Sequence, residues 1–479
     1  SSQPPAASAG HSGAAGSTGQ AVAAGSATSG SAIVAGSSQP NAASSGQSGN
    51  AGATGSSGQI DRPVRAATGV AATGASAPST DAAATRAGQA DAPAEEEGRP
   101  VVVMRDDEGN LRFRTGPHSS LRLGGYVEAF YSYNLNRPSN NITNYRAFDN
   151  RHNQITLQAL ALDVGWDSRW VSARLAMQAG HAATAIYEAS EPFQPGTGSG
   201  AGTSDASMWR FVQQAYLGGH LPTKVPVTIE AGLFLSPLGS EALATNQNWT
   251  WSHTPLFFAL PFYHAGLRAN VQLNDRHSVR LGVYNGWNNV VDNNREKSFA
   301  LEYNYALPDR VKFSTVYFSG VERPDDAPEG RAWRHTLDSY VIVQAGERVS
   351  LLLRPVVGIE PNAFGISWYV LGNVGLRVMA RPWLYFAARG SLLRESRATS
   401  VDGEASPITI PSEWMAAGIF TIDFRVINHL SIKLEYRHDH ASEDIFFAGQ
   451  VDGDGSDAAP FVANARLQNT VTLGATAYF

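Results

Sequence analysis

The last twelve residues, Gln468-Asn469-Thr470-Val471-Thr472-Leu473-Gly474-Ala475-Thr476-Ala477-Tyr478-Phe479, decide how the rest of the chain is read. Val471, Leu473, Ala475, Ala477 and Phe479 alternate with Thr470, Thr472, Gly474, Thr476 and Tyr478. Successive side chains of a strand point to opposite faces, so this segment has one apolar face and one small or polar face. The same period recurs toward the N-terminus. Leu430, Ile432, Leu434 and Tyr436 oppose Lys433, Glu435 and Arg437. Ala265, Leu267, Ala269 and Val271 oppose His264, Arg268, Asn270 and Gln272. Val227 to Ala231 places Glu230 on the polar face, and Val171 to Gln178 puts Arg174 and Gln178 together.

A soluble sandwich alternates too, so the connections between strands choose the solvent. Short ones lie at residues 167–169, 221–226, 274–277, 306–310, 344–348, 380–383 and 425–429. Long ones fall between them at 135–152, 180–210, 236–262, 287–297, 319–331, 358–366, 394–411 and 438–466. Seven short and eight long connections imply sixteen strands. Short turns at one end and long loops at the other characterise transmembrane barrels. Aromatics mark the strand ends, among them Trp166, Trp170, Tyr305, Trp333, Trp368, Trp383, Trp414, Tyr436 and Tyr478, as interfacial girdles require. The reading is therefore an all-β, antiparallel, closed transmembrane barrel over 121–479. Closure follows from the solvent, because hydrocarbon offers no partner to an open sheet edge. One strand resists: between Ile155 and Trp166, Gln158 shares a face with Leu160 and Leu162 while Asp163 lies on the other. A bulge or a subunit contact would account for it.

Composition agrees. Charged residues are 16% of the chain against roughly 25% in ordinary soluble domains, and there are no cysteines. The absence of Cys excludes disulfide scaffolds and thiolate chemistry. The net charge of -6 argues against a nucleic-acid partner. No run of 18 apolar residues exists, so no transmembrane helix is expected. No signal peptide is visible, and Ser1 is compatible with a mature end. Residues 1–98 are almost wholly Ala, Gly, Ser, Thr, Gln and Pro and read as a disordered tail. A Gly/Ser-rich coil of that length reaches roughly 55 Å. Residues 99–120 read as a short linker or hairpin around Asp107-Glu108-Gly109-Asn110.

At sixteen strands the interior is wider than side chains can fill, so a water-filled lumen is expected. Its lining residues are Glu128, Arg174, Glu230, Arg268, Arg280, Glu302, Asp338, Arg354, Arg377, Arg389, Asp423, Glu435 and Arg437. Both signs are present in similar numbers, and no single-sign ring predicts strong ion selectivity.

Several segments then resemble a known family. Gly125-Tyr126-Val127-Glu128-Ala129-Phe130-Tyr131-Ser132-Tyr133-Asn134 opens the barrel, followed by Gln214-Ala215-Tyr216 and Ala231-Gly232-Leu233-Phe234-Leu235-Ser236-Pro237-Leu238-Gly239-Ser240-Glu241. Tyr284-Asn285-Gly286-Trp287-Asn288 and Asp292-Asn293-Asn294 come next. The series resembles the β-barrel porins of the OmpL-like kind from Gram-negative outer membranes, chiefly over 121–305. The resemblance implies a pore for passive diffusion of small polar solutes and ions, set in outer-membrane lipid with the tail in the periplasm. It carries over a homotrimer as an expectation. The terminal Thr472-x-Gly474-x-x-Ala477-x-Phe479 resembles the signal by which the barrel-assembly machinery recognises its clients.

The third long loop, 236–262, is too apolar for a solvated loop: Leu243, Trp249, Trp251, Leu256, Phe257, Phe258, Leu260 and Phe262. The expectation is that it folds into the barrel, bringing Glu241, Asn246, Asn248 and His253 to a constriction opposite Arg268 and Arg280. Packing against other loops or another subunit is the competing reading.

Two acidic clusters are weak metal candidates. Asp452, Asp454 and Asp457 alternate like the opening of a calcium loop, but a calcium hand needs Gly where Asp457 stands and Glu where Ala463 stands. His438-Asp439-His440 with Glu443 and Asp444 reads as a hydrated loop. No Gly-x-Ser-x-Gly elbow occurs in the barrel region, so catalysis and a cofactor are not expected. The alternative function is a structural outer-membrane anchor whose tail or outer loops bind a partner.

Overall fold

A computed structural model describes residues 103–106, 110–187, 209–257, 259–292, 294–323, 325, 327–403, 405–456 and 458–479. The tail reading for 1–98 lies outside the described residues, as do Asp107, Glu108 and Gly109 of the turn expected beside Asn110.

Sixteen antiparallel strands close into a barrel. They are β1 (Ser119–Asn134), β2 (Gln154–Ser168), β3 (Val171–Ala179), β4 (Val212–Leu221), β5 (Val227–Leu235), β6 (Tyr263–Asn274), β7 (His277–Tyr284) and β8 (Ser298–Leu307). There follow β9 (Val311–Val321), β10 (Trp333–Ala345), β11 (Val349–Asn362), β12 (Gly365–Arg381), β13 (Leu384–Ser396), β14 (Trp414–Phe424), β15 (Leu430–Ala441) and β16 (Leu467–Tyr478). Each strand pairs with its sequence neighbours, and β16 closes on β1 from Thr470↔Asn134 to Tyr478↔Tyr126. The seam is locked at its end by Phe479, whose N–H and C=O exchange hydrogen bonds with Gly125 at 3.0 and 3.1 Å. A hairpin of Val103–Arg105 and Leu111–Gly116 adds to the part of β1 that extends below the seam.

The period of two sorts solvent as the sequence requires. In β16, Gln468, Thr470, Thr472 and Thr476 are buried inside, while Leu467, Val471 and Leu473 face outward. The girdle tryptophans Trp166, Trp170, Trp333 and Trp383 are exposed at the strand ends.

The irregular second strand contains a bulge. The β1–β2 register steps from Glu128↔Ala159 to Ala129↔Leu157, leaving Gln158 unpaired. The extra residue turns both Gln158 and Ala159 inward, so Leu157 and Leu160 both face lipid and the phase is restored for Asp163.

One expected long connection is absent. Residues 358–366 form the ends of two long strands joined by a two-residue turn, with Asn362 paired to Gly365. The Asn362 side chain accepts the Phe364 N–H at 2.9 Å, and Gly365 supplies the positive φ of 134°. Gly358 looked like a loop residue but lies mid-strand, where a β-carbon would collide with the Tyr369 ring.

Candidate functional site: the barrel interior

The strand register builds most of the inner wall as paired charges. Glu230 of β5 stands opposite Arg268 of β6, and Arg268 Nε donates to it at 2.6 Å. Arg280 of β7 stands opposite Glu302 of β8, at 2.7 Å. Arg354 grips Asp338 through Nε and Nη2 at 3.0 and 2.8 Å. Near the short turns, Arg122 and Arg174 share Asp163, while Arg425 and Arg377 flank Asp423 at 2.9 and 3.9 Å. Among the inward charges of the strands, Arg122, Asp163, Arg174 and Arg377 keep 15–20% of their side-chain surface exposed, so solvent reaches these charges near the short turns.

The third long loop lies inside the barrel. It leaves β5, crosses the lumen and settles on the opposite wall, β10–β16 and β1. Glu128 accepts the N–H and hydroxyl of Thr245 at 2.6 and 2.7 Å, and the bulge residue Gln158 donates to its other oxygen at 2.8 Å. Glu435 accepts the N–H groups of Trp251 and Ser252 at 2.5 and 3.0 Å, the Ser252 hydroxyl, and Thr421 at 2.8 Å. Lys433 donates to three loop carbonyls, Thr245, Asn248 and Thr250, at 2.5, 2.6 and 3.2 Å. Arg437 donates to the His253 carbonyl at 2.5 Å and to Asp439 at 2.7 Å. Thus wall charges satisfy loop backbone that would otherwise be orphaned on leaving water.

Apolar contacts complete the seat. Trp251, 1% exposed, packs beside Phe130, and a β-carbon at Gly474 would strike its indole. Trp249 packs with Tyr340, Ile342, Leu352 and Ala387. This explains the apolar composition of the loop: its aromatics meet barrel wall and neighbouring loops. Phe258 lies outside the described residues.

The four loop residues singled out from sequence occupy different settings. Glu241 pairs with Arg389 at 2.9 Å and accepts the Thr254 N–H and hydroxyl at 3.0 and 2.6 Å. Burial alone would raise its pKa, but Arg389, His253 and these donors hold it down at about 2. Asn248 ties to both backbone groups of Ala242 at 2.8 Å, and His253 Nε2 meets the same carbonyl at 2.6 Å. Burial lowers the His253 pKa, against the pull of Glu241. Asn246 contributes its carbonyl to Arg425 at 2.8 Å. The facing residues differ from expectation: Arg268 and Arg280 are taken by Glu230 and Glu302 in their own sheet, and the cation opposite Glu241 is Arg389. A second departure concerns Glu128, Glu435 and Arg437, which face inward but lie sealed beneath the loop, at most 2% exposed. The expected lining wall is thus partly covered.

Sequence reading missed Lys433 as an anchor, although its place on a polar strand face was visible. It also missed Arg146, which leaves the first long loop to reach Asp439 at 3.1 Å, and the Arg323–Glu360–Arg334 cluster, which joins a loop cation to strand ends. Loop cations carry no period to place them. The metal candidates do not assemble. Asp452 and Asp454 lie in an exposed turn, Asp457 is outside the described residues, and His438 and His440 point outward on β15 while Asp439 points inward. Among the described residues no three His, Cys, Asp or Glu side chains group as a metal site would.

A closed barrel with an apolar outside, aromatic strand ends and an inner wall of paired charges defines a porin-like outer-membrane β-barrel protein. The chain belongs to the family described as "Putative beta-barrel porin-2, OmpL-like", matched over residues 120–479. No curated protein matches the sequence. Among solved structures it is similar to OmpT of Vibrio cholerae, at 8% identity over 76% of this chain and 99% of that one, with a TM-score of 0.48. It is similar to an anion-selective porin from Comamonas acidovorans, at 9% identity over 75% of this chain and 100% of that one, TM-score 0.49. Pseudomonas putida OprB, at 11% identity over 76% and 94%, gives 0.43.

Proposed function

We propose that the protein is a porin for passive diffusion of small polar solutes and ions across the outer membrane, with no catalytic role. The observation that carries this reading is the wet, charged inner wall near the short turns, where Arg122, Asp163, Arg174 and Arg377 keep water contact inside a closed barrel. Charges of both signs alternate along it, which favours general permeation over strong ion selectivity. In this reading the N-terminal tail lies in the periplasm, the barrel sits in outer-membrane lipid as a homotrimer, and Phe479 addresses the chain to the assembly machinery. The test is bilayer conductance of the full-length refolded protein. Stable steps that grow with salt are expected; an inserted, heat-modifiable protein that carries no current refutes the reading.

A second reading, an anchor with a blocked lumen, is favoured by one observation: the third loop covers Glu128, Lys433, Glu435 and Arg437 completely or nearly so. It predicts conductance only after the loop is released.

A further inference from the structure

On the inner wall of β11–β13 four buried side chains hold hydrogen-bonding groups that no protein partner uses. They are Arg354 Nη1, both amide atoms of Asn373, the Ser391 hydroxyl, and Arg389 Nε and Nη2. The residues are 0%, 1%, 8% and 6% exposed, respectively. Interiors rarely tolerate this, because an unmade hydrogen bond keeps its full desolvation cost.

The register brings these groups together. Arg354 stands directly opposite Asn373, and Asn373 directly opposite Ser391. Arg389 lies two residues from Ser391 on the same strand and face. Directly opposed side chains of adjacent strands start about 5 Å apart, so the four share one small region. Apolar side chains bound it along the strands: Leu352 and Ala387 on one side, Val356, Leu371 and Leu393 on the other. The third loop roofs it, since Glu241 and Thr250 accept from Arg389 and Gly239 donates to Asp338 beside Arg354.

The unused atoms have a definite chemistry. Asp338 already takes the Nε and Nη2 edge of Arg354, leaving Nη1. Glu241 and Thr250 take only Nη1 of Arg389, leaving the Nε and Nη2 edge. That edge is the fork that binds two oxygens of one planar or tetrahedral anion. Asn373 Nδ2 and the Ser391 hydroxyl add neutral donors, and Asn373 Oδ1 is the one obligate acceptor in the set. We propose that these four residues form a binding site for a small oxyanion of carboxylate size, enclosed between the barrel wall and the third loop. The site requires only the barrel and its inner loop, not that the lumen conducts.

The probe is formate. Full-length protein, refolded in detergent with sodium formate or with sodium chloride at equal ionic strength, is melted and scored by loss of heat-modifiable mobility. A ligand that binds only the folded state raises the midpoint in proportion to the logarithm of its concentration above Kd. The wild type should melt higher in formate, rising with each tenfold increase, and Asn373→Leu should lose that dependence. Asn373→Asp supplies a resident carboxylate, so it should melt higher than wild type in chloride and ignore formate. Equal wild-type midpoints in the two salts, or a formate response that persists in Asn373→Leu, overturns the site. So does a formate-grown crystal with water alone between Arg354 and Arg389.

Discussion

Glu435 is the side chain on which the inner loop hangs, and replacing it with glutamine tests how that loop is held. Its carboxylate accepts the Trp251 and Ser252 N–H groups, the Ser252 hydroxyl and Thr421 Oγ1. Glutamine keeps the volume but has one acceptor oxygen, and its amide nitrogen faces donors. At least two charge-assisted hydrogen bonds are lost, each worth about 1.5–3 kcal/mol. Lys433 and Arg437, both 0% exposed, also lose a neighbouring negative charge. A release of about 3 kcal/mol corresponds to a roughly 150-fold larger population of unseated loop. The assay is chymotrypsin cleavage of intact, heat-modifiable protein, with Trp249, Trp251 and Phe257 as cutting sites. When opening is fast relative to cleavage, the rate follows the open population, so cleavage within 236–262 should accelerate about 150-fold in Glu435→Gln. A change under threefold, with barrel melting unaltered, would refute the claim that this carboxylate secures the loop.

Three further outcomes follow from the same contacts. Gly474→Leu should drive Trp251 from its place beside Phe130, quench-shifting its fluorescence and costing the loop seat about 3–5 kcal/mol, as loss of a buried aromatic does. Acid should loosen the loop: Glu241 has a folded pKa near 2 against 4.5 unfolded, so its contribution is intact above pH 4.5 and is lost as pH falls toward 2. That window spans about 3 kcal/mol, and the lowered pKa of His253 begins the loss just below pH 6.5; tryptophan fluorescence against pH should show the loop destabilised on acidification through this range. Deleting Gln158 removes the bulge yet leaves strict alternation, with Leu157 and Leu160 still toward lipid and Ala159, Ala161 and Asp163 inward. The barrel should therefore still fold into vesicles while Glu128 loses one donor; a collapse in folding yield would refute this account of the bulge.

The barrel was legible in the sequence because membrane and lumen impose opposite demands on alternate residues, and that demand is written locally. The twelve residues from Gln468 to Phe479 suffice to state it, and turn length sorted the two ends. The inward direction of Arg174, Glu230, Arg268 and Glu435 came from parity alone. The 358–366 connection was misread because Gly358 and Pro361 resemble loop residues, while only the neighbouring strand reveals that Gly358 makes room for Tyr369. The bulge at Gln158 could be suspected from a phase error but located only by the β1–β2 register. That the third loop enters the barrel followed from its aromatics, yet its partners did not. Arg268 and Arg280 find acids one strand away, and Glu241 instead meets Arg389, 148 residues along the chain. Periodicity fixes which way a strand residue points because neighbours share one backbone geometry. Which loop atom meets which wall atom depends on closure, the joining of β16 to β1, and no local pattern encodes that distance.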